Sequence, residues 1–307
     1  MPNPGPGPEG TLPALNRSAG IVLVGGRSSR MGCPKPILEW HGSTLVRRVA
    51  GIVARGVDGP VVLVRSRDQS LPPLPEDFEV LDDEVEGRGP LSGLSAGLTA
   101  LQGRCEVAYV SSTDVPFLHP AFVRRVVGGL GDEVDACVPF VRGFRQPLSA
   151  AYRVGLAPLV RSLLNSDRLR VSALLAACRS SELDEAALLA DQDLARFDPG
   201  LESVTNLNDP DEYREAALRP PPTVRVEWPD ERALAGVANP SGALVQAGLS
   251  QPARVRAATL GAAAGATETV LGSGLVALLN GDRIRQDPEE PLVEGDLVSF
   301  VRADTAP

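Results

Sequence analysis

Short apolar runs alternate with stretches of helical spacing in the first two thirds of the chain, and this alternation constrains the fold most. Three runs, residues 19–24, 61–64 and 107–110, are apolar and rich in β-branched side chains, which predicts buried strands. Residues 45–54 and 91–101 have the spacing of helices. Strands that alternate with helices imply βαβ units and a mostly parallel sheet covered on both faces. The pattern predicts a Rossmann-like, three-layer αβα domain.

The predicted domain organisation follows from a proline run. Arg219 and the three prolines after it predict a stiff linker at residues 219–222. We therefore assign the α/β domain to residues 19–218 and a second domain to residues 223–307. Residues 1–18 contain Pro and Gly but no apolar segment of the secretory type, so a disordered leader is expected there.

The second domain is predicted to be a small α+β unit. Residues 223–227, 275–279 and 297–301 have the composition of strands. Asn280 and Gly281 form the strongest short hairpin signal in the chain. Strands with one or two short helices fit a compact module of this size.

Composition excludes several classes of protein. The formal net charge is −9, which argues against a general nucleic-acid-binding protein because such proteins need a basic face. No apolar run is long enough to cross a membrane, so no membrane partner is expected. The four cysteines are widely spaced and contain no CxxC pair, which favours a reducing, cytoplasmic location.

The basic residues are unusual in kind. Of the 30 Lys and Arg residues, Lys35 is the single lysine and 29 are arginines. A lysine ammonium is a compact charge with three donors, whereas a guanidinium is a planar fork. Phosphate groups are commonly bound by such a point charge. Chance survival of one lysine in an arginine-rich chain is the alternative.

A glycine-rich loop follows the first predicted strand. Gly25 and Gly26 allow a sharp turn and a close approach of the backbone to a ligand. Successive amides in such a turn form a concavity that binds anions. Arg30, Gly32 and Lys35 follow, so two cations reach the same place. The spacing differs from Walker A and from GxGxxG, so neither a kinase or ATPase nor a dinucleotide-binding protein is indicated.

The loop, residues 23–35, resembles the signature of the molybdenum cofactor guanylyltransferase family, which commonly has Leu-Ala-Gly-Gly followed by Arg-Met-Gly-x-x-Lys. Val24 replaces the usual Ala. Related cytidylyltransferases favour Ala-Ala-Gly here, so the glycine pair favours guanine. The resemblance implies a nucleotidyltransferase fold for this domain. It also implies nucleotide binding by several loop residues: Leu23, Val24, Gly25, Gly26, Arg30 and Lys35.

Four further stretches match the same family in order. Asp82, followed by Gly-Pro-Leu-Ser-Gly at residues 89–93, resembles a motif whose Asp contacts the nucleotide. Asp114, in Thr-Asp-Val-Pro, matches a magnesium-binding Asp, which implies a role in catalysis and nucleotide binding. Gln146 matches a residue near the acceptor site. Asn208, in Asn-Leu-Asn-Asp-Pro, is expected to complete the metal site.

The reaction implied by this resemblance is transfer of GMP from GTP to the terminal phosphate of the molybdenum-pterin cofactor. It releases pyrophosphate and uses Mg²⁺, with Arg30, Lys35 and Asp114 as catalytic residues. One alternative is a cytidylyltransferase or another small-molecule nucleotidyltransferase of the same fold. Another is a regulatory protein without turnover that acts through its C-terminal domain.

Each assigned residue also has a simpler structural interpretation. Asp114 could cap a helix, although its position after a strand favours the metal. Asp82 lies in an acidic stretch, so a solvated turn is about equally favoured. Asn206 and Asn208 could bond their own backbone in a loop. The two histidines, His41 and His119, match no family residue and are expected on the surface or in turns, and Cys33 is expected to be a spacer.

The C-terminal residues resemble the small β-grasp sulfur carriers of molybdopterin and thiamine synthesis. The match rests on residues 278–281 and 291–300. Such carriers end in Gly-Gly, whereas this sequence ends in Ala306-Pro307, so we expect a docking module for a pathway protein. Residues 223–307 contain 7 Arg and 11 acidic residues, a net charge of −4, which fits an acidic docking face or plain solubility. A carrier fused to its downstream enzyme is a further alternative.

Overall fold

The computed structural model describes residues 16–25, 35–83, 87–228, 252–272, 274–304 and 306. Within these ranges the chain forms two larger sheets and a small hairpin. The first ten strands are β1 (Asn16–Leu23), β2 (Glu39–Trp40), β3 (Ser43–Thr44), β4 (Val61–Ser66), β5 (Phe78–Asp83), β6 (Cys105–Ser112), β7 (Ala136–Val141), β8 (Phe144–Arg145), β9 (Ser149–Arg153) and β10 (Ser180–Leu183). The last five are β11 (Thr223–Glu227), β12 (Ala253–Arg256), β13 (Leu275–Leu279), β14 (Asp282–Arg283) and β15 (Leu297–Arg302).

Nine α-helices connect the described strands. They are α1 (Leu45–Ala54), α2 (Pro90–Leu101), α3 (Pro120–Gly128), α4 (Ala157–Asn165), α5 (Val171–Leu175), α6 (Glu185–Leu189), α7 (Gln192–Phe197), α8 (Pro210–Ala217) and α9 (Leu260–Ala266). No helix in the described part of the chain has both the length and the apolar character of a membrane span.

The N-terminal sheet has eight strands in the order β10-β7-β9-β6-β1-β4-β5, with β8 paired to β7. Strands β1, β4, β5 and β6 are parallel, as the βαβ pattern predicts. Strand β9, however, runs antiparallel to both β6 and β7. The sheet is therefore mixed, but the expectation of a mostly parallel sheet is confirmed: β7 and β10 run in the same direction as β6, and β8 and β9 oppose them. Strand β9 is reached from β7 by a hairpin, which needs no crossover helix.

Helices cover both faces of this sheet. Along β1, Val22 belongs to one apolar core together with side chains of α1 and α3. Its neighbours Ile21 and Leu23 belong to a second core, with side chains of α2 and α4. Alternate residues of a strand point to opposite faces, so a strand buried on both sides is apolar throughout. The three-layer αβα fold is confirmed for the N-terminal domain.

The N-terminal boundary differs from the expected one. Strand β1 begins at Asn16, so the leader predicted for residues 1–18 is wrong at its C-terminal end. Ser18 is buried, and its backbone N–H donates to Asp58 Oδ1 at 3.0 Å. Extension of β1 beside β6 explains this, because Asn16 pairs with Cys105. The rest of the predicted leader lies outside the described residues.

The C-terminal sheet has the strand order β12-β11-β15-β13-β14. Strands β11 and β15 are parallel at its centre. Helix α9 packs its apolar residues on one face, against side chains such as Val226 and Phe300. The predicted hairpin joins β13 to β14, with positive φ at both Asn280 and Gly281. This unit follows the proline run 220–222, while its assignment as a β-grasp domain stays a prediction.

Candidate active site

The carboxyl ends of four parallel strands meet at one edge of the N-terminal sheet. Leu23, at the end of β1, is in register with Val64 of β4 and with Ser112 of β6. Arg65 of β4 is in register with Asp82 of β5. In open α/β sheets ligands bind outside this edge. The segments that follow β1, β5 and β6 are therefore brought to the place where chemistry is expected.

Lys35 and Asp114 are in direct contact at this edge. The Lys35 ammonium lies 3.2 Å from Asp114 Oδ2, and both side chains are 19% exposed. The Ser112 hydroxyl donates to the other carboxylate oxygen, Oδ1. Asp114 does not cap α3, whose N-cap is His119. The carboxylate is thus held in one orientation by two side chains and remains open to solvent in part.

The segment with Asn208 lies against Asp114. The backbone N–H of Leu207 donates to the Asp114 carbonyl at 2.8 Å, and the neighbouring Asn208 is exposed. Asp209 caps α8 in a capping box with Glu212. Asp209 therefore has a structural role, and the backbone segments that carry Asp114 and Asn208 lie side by side.

Val24 and Gly25 leave β1 in close contact with β4. Their backbone N–H groups both donate to the Val64 carbonyl, at 2.8 and 3.4 Å. A Cβ at Gly25 would lie 2.8 Å from Ser66 Oγ and 3.1 Å from the Ser66 nitrogen, so glycine is needed for this approach. Gln69 Nε2 donates to the Val24 carbonyl at 3.3 Å. Leu23 and Val24 are buried in the core, so of the described loop residues only Gly25 is exposed at the edge.

Asp82 is paired with a cation within the sheet. Its Oδ1 accepts from Arg65 Nε at 2.8 Å, and its side chain is 46% exposed. The next residue, Asp83, accepts from the Ser92 hydroxyl, which lies in the first turn of α2. The two adjacent carboxylates therefore differ: Asp83 anchors the Gly-Pro-Leu-Ser-Gly segment, and Asp82 faces the solvent at the sheet edge.

Gln146 lies in the turn that enters β9. The backbone N–H of Ser149 donates to the Gln146 carbonyl at 3.1 Å, and Ser149 is in register with Ser111 of β6. The Gln146 turn is thereby placed beside the strand that carries Asp114. Gly26, Arg30 and Cys33 lie outside the described residues, so their predicted roles stay predictions.

Sequence analysis missed several residues of this edge. Ser112, Arg65 and Gln69 orient Asp114, Asp82 and Val24 respectively. The sequence does contain an indication for Ser112, because this hydroxyl residue stands two positions before Asp114 at the end of a predicted strand. Arg65 and Gln69 have no such signal, because their partners come from other strands.

The two histidines lie in different environments. His41 lies in the turn between β2 and β3 with a φ of 47°, as expected. His119 also lies outside helix and strand, as the N-cap of α3, but the expectation of a surface position is wrong, because only 8% of it is exposed. Its Nδ1 accepts from the Ala121 N–H, and burial lowers the pKa of its imidazole. A neutral ring suits this position because it can accept at Nδ1 while it donates at Nε2.

The described donors fit a magnesium ion that completes its coordination with substrate oxygens. Within the described ranges no three His, Cys, Asp or Glu side chains cluster as a preformed metal site. Mg²⁺ is usually held by one or two carboxylates together with phosphate oxygens and waters. Asp114 provides such a carboxylate, and the exposed Asn208 amide lies next to its segment. A carboxylate and an amide carbonyl both offer oxygen, which is the donor type that Mg²⁺ prefers.

Comparison with known proteins agrees with this arrangement. Residues 20–186, more than half of the chain, match the model of the MobA-like NTP transferase domain. A protein of Bacillus cytotoxicus named "Probable molybdenum cofactor guanylyltransferase" is 31% identical over 166 residues, which cover 52% of this chain and 80% of that protein. One of Peptoclostridium acidaminophilum with the same name is 27% identical over 201 residues, 64% of this chain and 86% of that protein.

A solved structure has the same fold. The molybdopterin-guanine dinucleotide biosynthesis protein A of Archaeoglobus fulgidus superposes with a TM-score of 0.52 at 22% identity, over 65% of this chain and 96% of that chain. The mixed sheet and its helical layers are therefore shared with this structure. This chain belongs to the MobA-like NTP transferase domain family, and it is an enzyme of the nucleotidyltransferase type.

Proposed function

We propose that this enzyme transfers GMP from GTP to the terminal phosphate of the molybdenum-pterin cofactor. An oxygen of that phosphate attacks the α-phosphorus of GTP, the bond from the α-phosphorus to the bridging oxygen of the β-phosphate breaks, and pyrophosphate leaves with that oxygen. The family match and the relatives named as guanylyltransferases support this choice of substrates. The reaction is nucleotidyl transfer in molybdopterin-guanine dinucleotide synthesis.

The observation that carries this proposal is the contact between Lys35 and Asp114 at the carboxyl edge of the sheet. Two anions must approach each other in this reaction, and catalysis consists mainly of their positioning and the neutralisation of charge. A carboxylate for the metal and an ammonium for the phosphates are the groups that this chemistry needs. Their separation of 3.2 Å allows both to act on one triphosphate.

Asp114 and Asn208 would hold the Mg²⁺ ion. When bound, the metal would supply polarisation of the α-phosphate and neutralisation of the leaving pyrophosphate. Ser112 fixes one carboxylate oxygen of Asp114 by its hydrogen bond, so the carboxylate keeps its orientation. Lys35 would donate to phosphate oxygens, and Arg30 would add a second cation to the same group.

The remaining edge residues would bind the nucleotide and the acceptor. The exposed carboxylate of Asp82 would accept hydrogen bonds from guanine or ribose, and Arg65 holds it in position. Gly25 and Gly26 would allow the backbone to approach the phosphates closely. Gln146, in the turn beside β6, would contact the acceptor.

We also propose that the C-terminal sheet is a β-grasp domain and that it docks a pathway protein. Within its described residues, a parallel pair of first and last strands at the centre and a helix on one face support this assignment. Some of its acidic residues, however, are already paired within the chain: Asp287 pairs with Arg47 of α1, and Asp296 pairs with Arg55, the C-cap of α1. Any partner would therefore use the remaining surface.

The test is release of pyrophosphate from GTP, CTP, ATP and UTP, each with Mg²⁺ and the molybdenum-pterin cofactor. We expect turnover with GTP in the wild type and its loss in Asp114→Ala. Turnover with CTP alone would keep the reaction type and overturn the guanine assignment. Failure with every nucleotide, from folded protein that still binds Mn²⁺, would favour the regulatory alternative.

A further inference from the structure

Arginines of helix α1 and its C-cap residue Arg55 join the N-terminal domain to the C-terminal unit. The Arg47 guanidinium pairs with Asp287 and, at 3.1 Å, with Glu289. Arg55 donates from Nη1 to Asp296 Oδ2 at 3.0 Å and from Nη2 to Oδ1 of the same carboxylate. These are charge-assisted bonds between the two parts of the chain, and the Arg55 pair has the bidentate geometry of the stronger kind.

Arg48 lies between these pairs on α1 and is bound differently. It is only 6% exposed. Its Nε donates to the Pro116 carbonyl at 2.6 Å, and its Nη1 donates to the carbonyls of Leu292 at 3.3 Å and Ala258 at 3.4 Å. One planar side chain therefore connects the segment after Asp114 to two carbonyls of the C-terminal unit.

Arg48 is both buried and charged, so a shift of these carbonyls away from it would destabilise the folded state. Burial lowers the pKa of its guanidinium to about 10, so the group stays protonated at neutral pH. A buried charge is tolerated only when its donors are satisfied. The bonds that satisfy Arg48 in the described residues come from both parts of the chain, so its position depends on both.

Pro116 belongs to the segment that carries Asp114. Residues 114–119 form turns and contain neither helix nor strand. Val115 and Leu118 are buried, and the Leu118 N–H donates to the Val115 carbonyl at 3.1 Å. Because no ladder of backbone bonds fixes such a segment, its conformation depends on individual anchors.

The C-terminal end of this segment has a second anchor in the C-terminal unit. His119 Nε2 lies 3.2 Å from the Glu294 carbonyl, and the His119 ring stacks on Phe197. A cavity of about 350 Å³ borders Phe117 and Arg48. Packing is therefore incomplete on one side of the segment. Arg48 and the His119 ring add anchors from the C-terminal unit to the bonds that Leu207 and Ser203 make with the backbone at its two ends.

We propose that Arg48 is a positioning residue for Asp114, and that through it the docked C-terminal sheet sets the conformation of the segment 114–119. The guanidinium fork holds the Pro116 carbonyl at a fixed distance from the carbonyls of Leu292 and Ala258. The C-terminal unit then helps to hold the segment of the catalytic domain that carries Asp114. This inference rests on the proposed function, since it assumes that Asp114 acts in catalysis.

The test compares full-length Arg48→Lys, Arg48→Met and Arg47→Met proteins. Lysine keeps the charge but lacks the fork that spans both parts of the chain. Methionine keeps most of the apolar stem, and Arg48→Lys serves if Arg48→Met does not fold. Arg47→Met is the matched control, because Arg47 is on the same helix and binds the same C-terminal unit through Asp287 and Glu289.

Two measurements are made on each protein. The first is hydrogen exchange of the amides of residues 115–119 without substrate, where we expect Arg48→Lys to accelerate exchange by about tenfold relative to exchange elsewhere. The second is the steady-state kinetics with GTP. Here kcat should fall by about tenfold while KM for GTP stays within about twofold, because a transition-state interaction is lost. Arg47→Met should leave both unchanged.

The inference is overturned if Arg48→Lys exchanges like the wild type at residues 115–119, or if Arg47→Met changes exchange and kcat as much as Arg48→Lys does. If the wild-type protein turns over no nucleotide, the proposed function fails by itself. The exchange measurement then decides alone whether Arg48 sets the conformation of the segment.

Discussion

The Lys35 ammonium lies 3.2 Å from the Asp114 carboxylate, although 79 residues separate the two in the sequence. Lys35 follows the glycine-rich loop after β1, and Asp114 follows β6, the neighbouring strand. The single lysine of the chain thus meets the predicted metal-binding carboxylate. Both side chains are partly exposed, so substrate oxygens can reach them.

Replacement of Lys35 by Ala is expected to lower kcat by roughly a hundredfold to a thousandfold, as loss of one donor to a developing anion does. Stability should change little, by about 0–1 kcal/mol, because the ion pair is partly exposed. Lys35→Arg should recover only a small part of the activity, since a planar fork replaces a compact charge. Pyrophosphate release and urea denaturation measure the two effects. Full activity of Lys35→Arg would contradict this role.

Replacement of Asp82 by Asn is expected to raise KM for GTP by about tenfold and to leave kcat nearly unchanged, the behaviour of a residue that binds substrate and transition state equally. Glu79→Gln is the control, because Glu79 lies on the same strand and pairs with Arg104. Initial rates over a range of GTP concentrations measure the change. An equal effect of both substitutions would remove Asp82 from the nucleotide site.

Gly25→Ala should destabilise the protein by about 1–3 kcal/mol, the usual cost of a forced contact in a packed region. The new Cβ would meet Ser66 Oγ at 2.8 Å and the Ser66 nitrogen at 3.1 Å. The double variant with Ser66→Ala should recover part of this loss, because the hydroxyl is removed and the amide remains. Urea denaturation with calorimetric GTP binding provides the measurement. No recovery in the double variant would show that the contact with Ser66 Oγ is unimportant.

His119 should make stability depend on pH in the weakly acidic range. Burial lowers the pKa of its imidazole below the ordinary value of 6.5, so the folded state favours the neutral ring. Its contribution is complete above pH 6.5 and declines as the pH falls, because the unfolded state takes up a proton first. The free energy of unfolding should therefore decrease between about pH 7 and pH 5.

The matched variant for this prediction is His119→Asn. Asn can still accept from the Ala121 N–H at the start of α3, but it loses the bond to the Glu294 carbonyl. It should cost about 0.5–1.5 kcal/mol at neutral pH and reduce the loss of stability on acidification. Asp198 and Glu290, whose pKa values are raised by burial, contribute with the opposite sign in both proteins. An unchanged pH dependence in the variant would assign the effect to another group.

Much of the candidate site could be predicted because it lies where parallel strands end. Gly25 follows β1, Asp82 lies near the end of β5, and Asp114 follows β6, so a sheet of parallel neighbours brings the three to one edge. The strands and α1 could be predicted for the same reason: apolar periodicity is local, and burial on both sides of a sheet makes it strong. The hairpin at Asn280 follows from the positive φ that its turn requires.

Other features depended on contacts between distant residues. Strand β9 contains small side chains, and only its pairing with β6 and β7 makes it a central strand. Asp82 and Asp83 are equivalent in sequence, but Ser92 of α2 binds Asp83 and leaves Asp82 at the edge. His119 has no local feature of a buried residue, and the Glu294 carbonyl and Phe197 determine its environment.

The sequence by itself determined the layered α/β domain and the family, and it predicted Lys35 and Asp114 as the chemical centre. Only the tertiary structure decided the position of Arg48. In the sequence it is one of the 29 arginines of the chain, and it lies in a segment with the pattern of an amphipathic helix. Packing of the C-terminal sheet buries it against the Pro116 carbonyl. The physical reason is that periodicity reports which face of a helix is buried, whereas the partners of a buried charge come from segments that meet only in the folded chain.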